Sequence, residues 1–168
     1  MNESVNLKKN TERIWALVFV DYINKKFGCD YMVAAEFDEN SFVDVRAVSE
    51  SGDHPTLEMQ LTYAIEMPFI AYEPSDLDYT KKPTQEAIDR KMEKFEERGV
   101  DASNLILIIQ GYMNRGNAKK AFADSSFKEY AHYPLKGIYY VSPPMISGET
   151  NESLQQGMVV SIKDAFET

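Results

Sequence analysis

The sequence predicts an α/β domain in which a mixed central β-sheet is flanked by helices on both faces. Three observations predict it. An amphipathic helix opens the chain, three short segments of alternating apolar and polar residues follow, and a branched apolar run lies between two later helical patterns. Sequential short strands pair as an antiparallel meander, whereas strands reached through helices add in parallel. The predicted order is therefore αβββαβαβ.

The first helix is predicted over Asn10 to Phe27, where apolar residues recur at helical spacing. Thr11 can cap its start, and Gly28 ends it. A first strand is predicted over Asp30 to Asp38 because its side chains alternate in character. Asn40 then supplies the turn into the next strand.

The second and third strands are predicted over Phe42 to Val48 and Thr56 to Thr62, joined through a turn at Ser51 to Asp53. The third strand can extend to Tyr63. In the second strand three alternate apolar residues point to one face, and the opposite face carries Asp44 and Arg46. The apolar residues are Val43, Val45 and Ala47.

The third strand has the same pattern, since Leu57, Met59 and Leu61 face a core and the polar residues Glu58 and Gln60 stand opposite. If the two strands pair, the carboxylates of Asp44 and Glu58 can meet over one patch of sheet. Two converging carboxylates are suited to a hard divalent cation.

A second helix is predicted over Pro83 to Arg98, capped by Thr84 and ended by Gly99. Its charged face is typical of a solvated surface. Between the third strand and this helix, Met67 to Tyr72 is apolar enough to form a short buried segment.

The run Leu105 to Ile109 predicts a strand buried on both sides. A third helix is predicted over Asn117 to Ala131 and a last strand over Gly137 to Val141. The tail from Ser147 to Thr168 has apolar residues about four positions apart, which is typical of an amphipathic helix.

The 168 residues are expected to form a single domain, with a core of about residues 11–142 and a C-terminal extension over 143–168. No apolar run approaches the roughly 18 to 20 residues that span a bilayer, so no membrane partner is expected. The polar N-terminus does not resemble a secretory signal, which predicts a cytoplasmic protein.

The formal net charge of −9 argues against an extended basic surface for nucleic acid, although a local basic groove remains compatible with it. The single cysteine excludes an intrachain disulfide and a cysteine-cluster metal site. His54 and His132 have no acid or cysteine at ligand spacing, which argues against zinc chemistry.

The order of elements, with an acid in the second strand and an acid-x-polar pair in the third, resembles the PD-(D/E)xK, or restriction-endonuclease-like, nuclease superfamily. The resemblance covers the chain from the first helix to the strand at Gly137 to Val141. It implies a restriction-endonuclease-like fold, DNA as substrate and partner, and Mg²⁺ or Mn²⁺ as cofactor.

The resemblance also implies roles for particular residues. Asp44 stands where the family places its first metal-binding aspartate, with Val43 in the place of the preceding proline, and Glu58 stands at the second acidic position. Gln60 replaces the lysine. Some branches use a glutamate on the first helix, for which Glu12 is the candidate.

The chemistry gives this arrangement a reason. A cation held by Asp44, Glu58 and the carbonyl of Met59 could activate water and stabilise the phosphorane-like transition state. Gln60 can orient water through hydrogen bonds but brings no positive charge. Arg46, or Lys119 and Lys120, could supply that charge.

Other interpretations stay open. Asp44, Glu58 and Gln60 could form the exposed face of a hairpin, with Arg46 and Glu58 as a cross-strand ion pair. The chain could be a catalytically inactive member of the nuclease fold that serves as a binding or assembly module, including as a homodimer. It could also be a small adaptor whose exposed apolar residues between Tyr130 and Pro144 contact a protein partner.

Overall fold

The computed structural model describes residues 3–34, 42–64, 78–111, 115–123, 125–142, 145–146, 154–155 and 157–166. The predicted segment Met67 to Tyr72 and the second half of the predicted strand Asp30 to Asp38 lie outside these ranges. None of the helices in the described part of the chain is both long and apolar enough to cross a membrane.

The chain begins with helix α1 (Glu3–Phe27), which is followed by three strands: β1 (Tyr31–Val33), β2 (Val45–Ser49) and β3 (Leu57–Tyr63). Helix α2 (Asp78–Glu97), strand β4 (Leu105–Gln110) and helix α3 (Arg115–Phe122) come next. A 3-10 helix (Ser125–His132) leads into β5 (Gly137–Ser142). The short strands β6 (Met145–Ile146) and β7 (Leu154–Gln155) precede β8 (Met158–Lys163).

Six strands form one mixed sheet in the order β1-β2-β3-β4-β5-β8, and β6 and β7 form a separate antiparallel pair. The first three strands pair antiparallel, as predicted for a meander. Strands β4 and β5 add in parallel after helical connections, and β8 closes the sheet antiparallel to β5. The predicted α/β architecture with a mixed sheet is confirmed at this level.

Each face of the sheet packs against its own helices, as predicted. On one face, α1 buries Trp15, Phe19 and Ile23 against the sheet, where they meet Met59 and Ile108 among others. On the opposite face, α2 and α3 bury a second set of side chains against alternate residues of β4 and β5. Since β4 faces a core on both sides, all six of its residues are buried, which confirms the interpretation of its apolar run.

The two glycines predicted to end helices do so. Gly28 follows α1 with a φ of 66°, and Gly99 follows α2 with a φ of 62°. Both values lie in the left-handed region, where a Cβ is costly, so glycine is the residue that ends a helix there at least cost.

The start of the second helix was predicted wrongly. Helix α2 begins at Asp78, so Pro83 lies inside it, and Thr84 is fully buried rather than placed as an N-cap. The pair Pro-Thr is a strong start signal. In the folded protein, packing of Ala87, Ile88 and their neighbours keeps the helix continuous through the proline.

Two further predictions differ from the structure. The predicted helix Asn117 to Ala131 is divided into α3 and the 3-10 helix, which places Phe127 and Tyr130 in the core beside Phe122. The predicted amphipathic helix in the tail is wrong where the structure describes it, because Met158–Lys163 is a strand. Its backbone pairs with the edge of β5, a partner that local periodicity does not reveal.

The residues after β8 are anchored to the sheet through Tyr139. The Tyr139 hydroxyl donates to Asp164 Oδ1 at 3.1 Å and accepts the N–H of Ala165 at 2.7 Å. Burial raises the pKa of Tyr139 well above its usual range. The segment expected to be a C-terminal extension therefore contributes a strand to the central sheet.

Candidate functional site

The backbone at Asp44 departs from regular strand pairing. The Asp44 N–H donates to the carbonyl of Met59 at 2.9 Å, although the residue that pairs with Met59 in the ladder is Val45. Two consecutive residues therefore oppose one, which is the arrangement of a β-bulge. Bulges re-aim side chains, and here the side chain that is re-aimed is the predicted metal-binding aspartate.

The bulge also explains why the predicted orientation of the Val43 side chain is wrong. Val43 was expected to point to the same face as Val45 and Ala47. In the structure Val43 packs in the core beneath α2, whereas Val45 and Ala47 pack in the core beneath α1. An extra residue in one strand reverses the alternation beyond it, and the sequence pattern carries no sign of that insertion.

The Asp44 carboxylate lies at the edge of β3. Its Oδ2 atom accepts the N–H of Leu61 at 2.8 Å. This N–H lies beyond the first residue of β2, Val45, where β2 no longer offers a carbonyl to β3. Asp44 thus satisfies a backbone donor that would otherwise lack its ladder partner. This role is structural, and it fixes the carboxylate next to β3.

Gln60 is buried, with only 8% of its surface exposed. Its Nε2 atom donates to the carbonyl of Phe42 at 2.7 Å, which orients the amide and joins β3 to the residues before β2. Among the described residues its Oε1 atom has no hydrogen-bond partner and is shielded from solvent. A buried acceptor without a donor costs about 1–3 kcal/mol, so this oxygen is an unusual feature.

Glu58 lies opposite Arg46 in the ladder between β2 and β3. The Arg46 Nη2 atom is 3.6 Å from Glu58 Oε2, and the two side chains are 43% and 38% exposed. The cross-strand ion pair left open by the sequence is therefore present. At this exposure such a pair contributes little to stability.

The site is bordered by a second guanidinium group. Arg98, just beyond α2, lies with its guanidinium carbon 5.9 Å from the centroid of the Phe42 ring. Phe42 is the residue whose carbonyl orients the Gln60 amide. Sequence reasoning did not single out Phe42 or Arg98, because a backbone carbonyl and a residue in a charged helical segment carry no local signal of a site.

The oxygen ligands suit Mg²⁺ or Mn²⁺ in kind, since both predicted ligands are carboxylates. Within the described residues no group of three or more His, Cys, Asp and Glu side chains could hold an ion together. The Met59 carbonyl, predicted as a third ligand, accepts the Asp44 N–H. Magnesium commonly takes one or two protein carboxylates and completes its shell with water and phosphate, so the donor atoms of Asp44 and Glu58 are of a suitable kind. That the two carboxylates hold one cation together stays a prediction.

Glu12, the candidate acid on the first helix, lies well inside α1, since that helix begins at Glu3. Helix α1 packs on the face of the sheet that buries Met59 and Leu61, opposite to the side chain of Gln60. Since α1 already begins at Glu3, the predicted start of this helix at Asn10, with Thr11 as its cap, is wrong.

The adaptor interpretation depended on exposed apolar residues between Tyr130 and Pro144. In the structure Tyr130, Leu135 and Tyr140 are buried in the core beneath α2 and α3. The described apolar residues of that segment thus serve packing. From this segment, Tyr133 and Pro134 line a surface groove of about 650 Å³ together with one side of α2.

Comparisons with known proteins give no match: no family model, no curated protein and no solved structure matches this chain. The nuclease resemblance therefore depends on the residues and topology described above.

Proposed function

We propose that this protein is a metal-dependent nuclease of the restriction-endonuclease-like fold that hydrolyses phosphodiester bonds in DNA. The observation that carries the proposal is the buried Oε1 atom of Gln60, for which the described residues offer no hydrogen-bond partner. Gln60 lies on the strand that also bears Glu58, next to the strand end held by Asp44. The meander of β1 to β3 followed by parallel β4 supports the proposal, because it is the arrangement that the resemblance implies.

Each side chain has a defined task in the proposed reaction. The Phe42 carbonyl fixes the Gln60 amide and leaves Oε1 as its hydrogen-bond acceptor. Since Oε1 is buried, the attacking water would have to be admitted beside it before it could donate a hydrogen bond. Asp44 is held in place by the Leu61 N–H, and Glu58 projects from the neighbouring strand. A divalent cation held by the two carboxylates would supply Lewis-acid stabilisation of the phosphoryl oxygens.

A second candidate function is a catalytically inactive module that binds DNA through the same fold. The observation that favours it is the Arg46–Glu58 pair, because this pair already neutralises one of the two proposed metal ligands. Gln60 is neutral and cannot stabilise developing negative charge as a lysine would, which also favours the inactive module.

The test is thermal melting with and without millimolar Mn²⁺ for wild type and the double variant Asp44→Asn/Glu58→Gln. Asparagine keeps an oxygen for the Leu61 N–H, so the variant removes charge without removing that hydrogen bond. We expect Mn²⁺ to raise the melting temperature of wild type only, since a ligand that binds the folded state stabilises it. The matched control Glu50→Gln removes an exposed carboxylate elsewhere and should retain the rise.

Cleavage of a DNA duplex in Mn²⁺ separates the two candidates. Metal-dependent cleavage lost in the double variant supports the nuclease. Salt-sensitive DNA binding without cleavage in any metal supports the inactive module. A wild type that shows no response to Mn²⁺ and no affinity for DNA contradicts both.

A further inference from the structure

The ion pair between Arg46 and Glu58 is weak and exposed to solvent, so a competing ion could break it. Its closest distance, 3.6 Å, is longer than a charge-assisted hydrogen bond, so the attraction is Coulombic and weak in water. Val48, two residues from Arg46 on the same face of β2, is 45% exposed, and its cross-strand neighbour Met32 is 54% exposed. The guanidinium group therefore stands on a part of the sheet that solvent reaches.

A divalent cation at Glu58 would compete with Arg46 for the same carboxylate. The cation carries twice the charge of the guanidinium and repels it at close range. Glu58 could not hold both at full strength, so the arginine would be released if a cation bound there.

The released guanidinium has a use that follows from its chemistry. Its planar fork binds phosphate oxygens in a bidentate manner, and it remains charged at any physiological pH. It would also be the positive group nearest to Glu58 among the ion pairs that the structure describes, on the strand next to the neutral Gln60.

We propose that Arg46 is an exchangeable counterion: it holds Glu58 in the metal-free protein and, once a divalent cation takes Glu58, binds a non-bridging oxygen of the phosphodiester. This inference rests on the proposed function and assigns the phosphate-binding charge to a residue of β2. Lys119 and Lys120 on α3 are the competing candidates.

The first measurement is Mn²⁺ affinity, followed through the electron paramagnetic resonance signal of the free ion. Arg46→Gln removes the competitor, and we expect it to bind Mn²⁺ about two- to fivefold more tightly than wild type, in proportion to the small strength of an exposed pair. Arg46→Lys keeps the charge and should stay near wild type. The control Lys25→Gln removes a cation paired with Asp21 on α1 and should change the affinity less than about twofold.

The second measurement is affinity for a DNA duplex with Ca²⁺ in place of Mg²⁺, to hold back cleavage. We expect Arg46→Gln to lose about tenfold in cation-dependent affinity, comparable to the loss of one good charge-assisted contact. The double variant Lys119→Gln/Lys120→Gln should keep the wild-type dependence on the cation.

The outcomes separate the two proposals. If Arg46→Gln binds Mn²⁺ no more tightly than wild type, the counterion exchange is wrong while the metal site stands. If the lysine variant alone loses the cation-dependent affinity, Arg46 is not the phosphate ligand. If neither wild type nor Arg46→Gln binds Mn²⁺, the proposed function and the exchange are both overturned.

Discussion

At the residue scale, Asp30 ties the start of β1 to the turn after β2. Its Oδ1 atom accepts the hydroxyl of Ser49 at 2.6 Å, and its Oδ2 atom accepts the N–H of Ser51 at 2.7 Å. The hydrogen bond from Ser49, followed by those from Ser51, lowers the pKa of Asp30 to about 2. The ionised form is therefore the one that the fold prefers.

The contribution of Asp30 to the free energy of unfolding should depend on pH. The pKa of Asp30 is lower in the folded state than the unfolded value of about 3.9, so its stabilisation is present above that value and is lost as the pH falls toward 2. We expect Asp30→Asn to be less stable than wild type at pH 7, with the difference shrinking between pH 4 and about pH 2. Urea unfolding of both proteins across this range measures it.

The control for this prediction lies in the same turn. Asp53→Asn removes an exposed carboxylate that makes none of the Asp30 hydrogen bonds, and it should leave the free energy of unfolding nearly unchanged. A gap between wild type and Asp30→Asn that stays constant with pH would contradict the assignment.

At the element scale, α2 continues through a proline that lacks the N–H for an intrahelical hydrogen bond. Pro83 is the sixth residue of the helix, so its ring also crowds the preceding turn. The penalty is tolerated because the buried residues that follow, including Thr84 and Ala87, hold the helix against the sheet.

Replacing this proline tests where the helix begins. We expect Pro83→Ala to raise the free energy of unfolding by about 1–2 kcal/mol, which is the helix-interior penalty reduced by the greater entropy of the unfolded chain. Urea unfolding measures it, with the exposed neighbour Lys82→Ala as the control. If the helix instead began at Pro83, proline would occupy a favoured position and its removal would be neutral or destabilising.

At the scale of the whole molecule, the sheet has a protected centre and a weak edge. Strand β4 lies between β3 and β5 and is buried throughout, whereas β1 has three residues and a neighbour on one side only within the described part of the sheet. The free energy of local opening should therefore differ between the two strands, because edge elements can open without global unfolding.

Native-state hydrogen exchange should therefore be slower in the central strand β4 than in the edge strand β1. We expect amides of Leu105–Gln110 to exchange at least about a hundredfold more slowly than those of Tyr31–Val33 after correction for intrinsic rates, a difference of about 3 kcal/mol in opening free energy. Equal protection of the two strands would mean that β1 opens only with the core. Exchange in β8 should be slow if its pairing with β5 belongs to the same unit.

Much of the candidate site could be predicted, and its details could not. The alternation in β3 places Glu58 and Gln60 on one face, because that pattern depends only on strand geometry. The bulge at Asp44, the carbonyl of Phe42 and the guanidinium of Arg98 all depend on residues brought together across strands and helices. Whether Asp44 and Glu58 bind a metal remains a prediction.

Properties that arise within a few residues can be predicted from local patterns: the ends of α1 and α2 at glycine, the burial of β4 on both sides and the alternation of β3. Properties whose hydrogen-bond partners lie far along the chain depend on the folded arrangement. The tail forms β8 because β5 offers it an edge. Asp44 bonds to the N–H of Leu61 because the pairing of β2 with β3 stops at Val45. Local periodicity records the preference of a segment, whereas the partner that satisfies its backbone is present only in the folded protein.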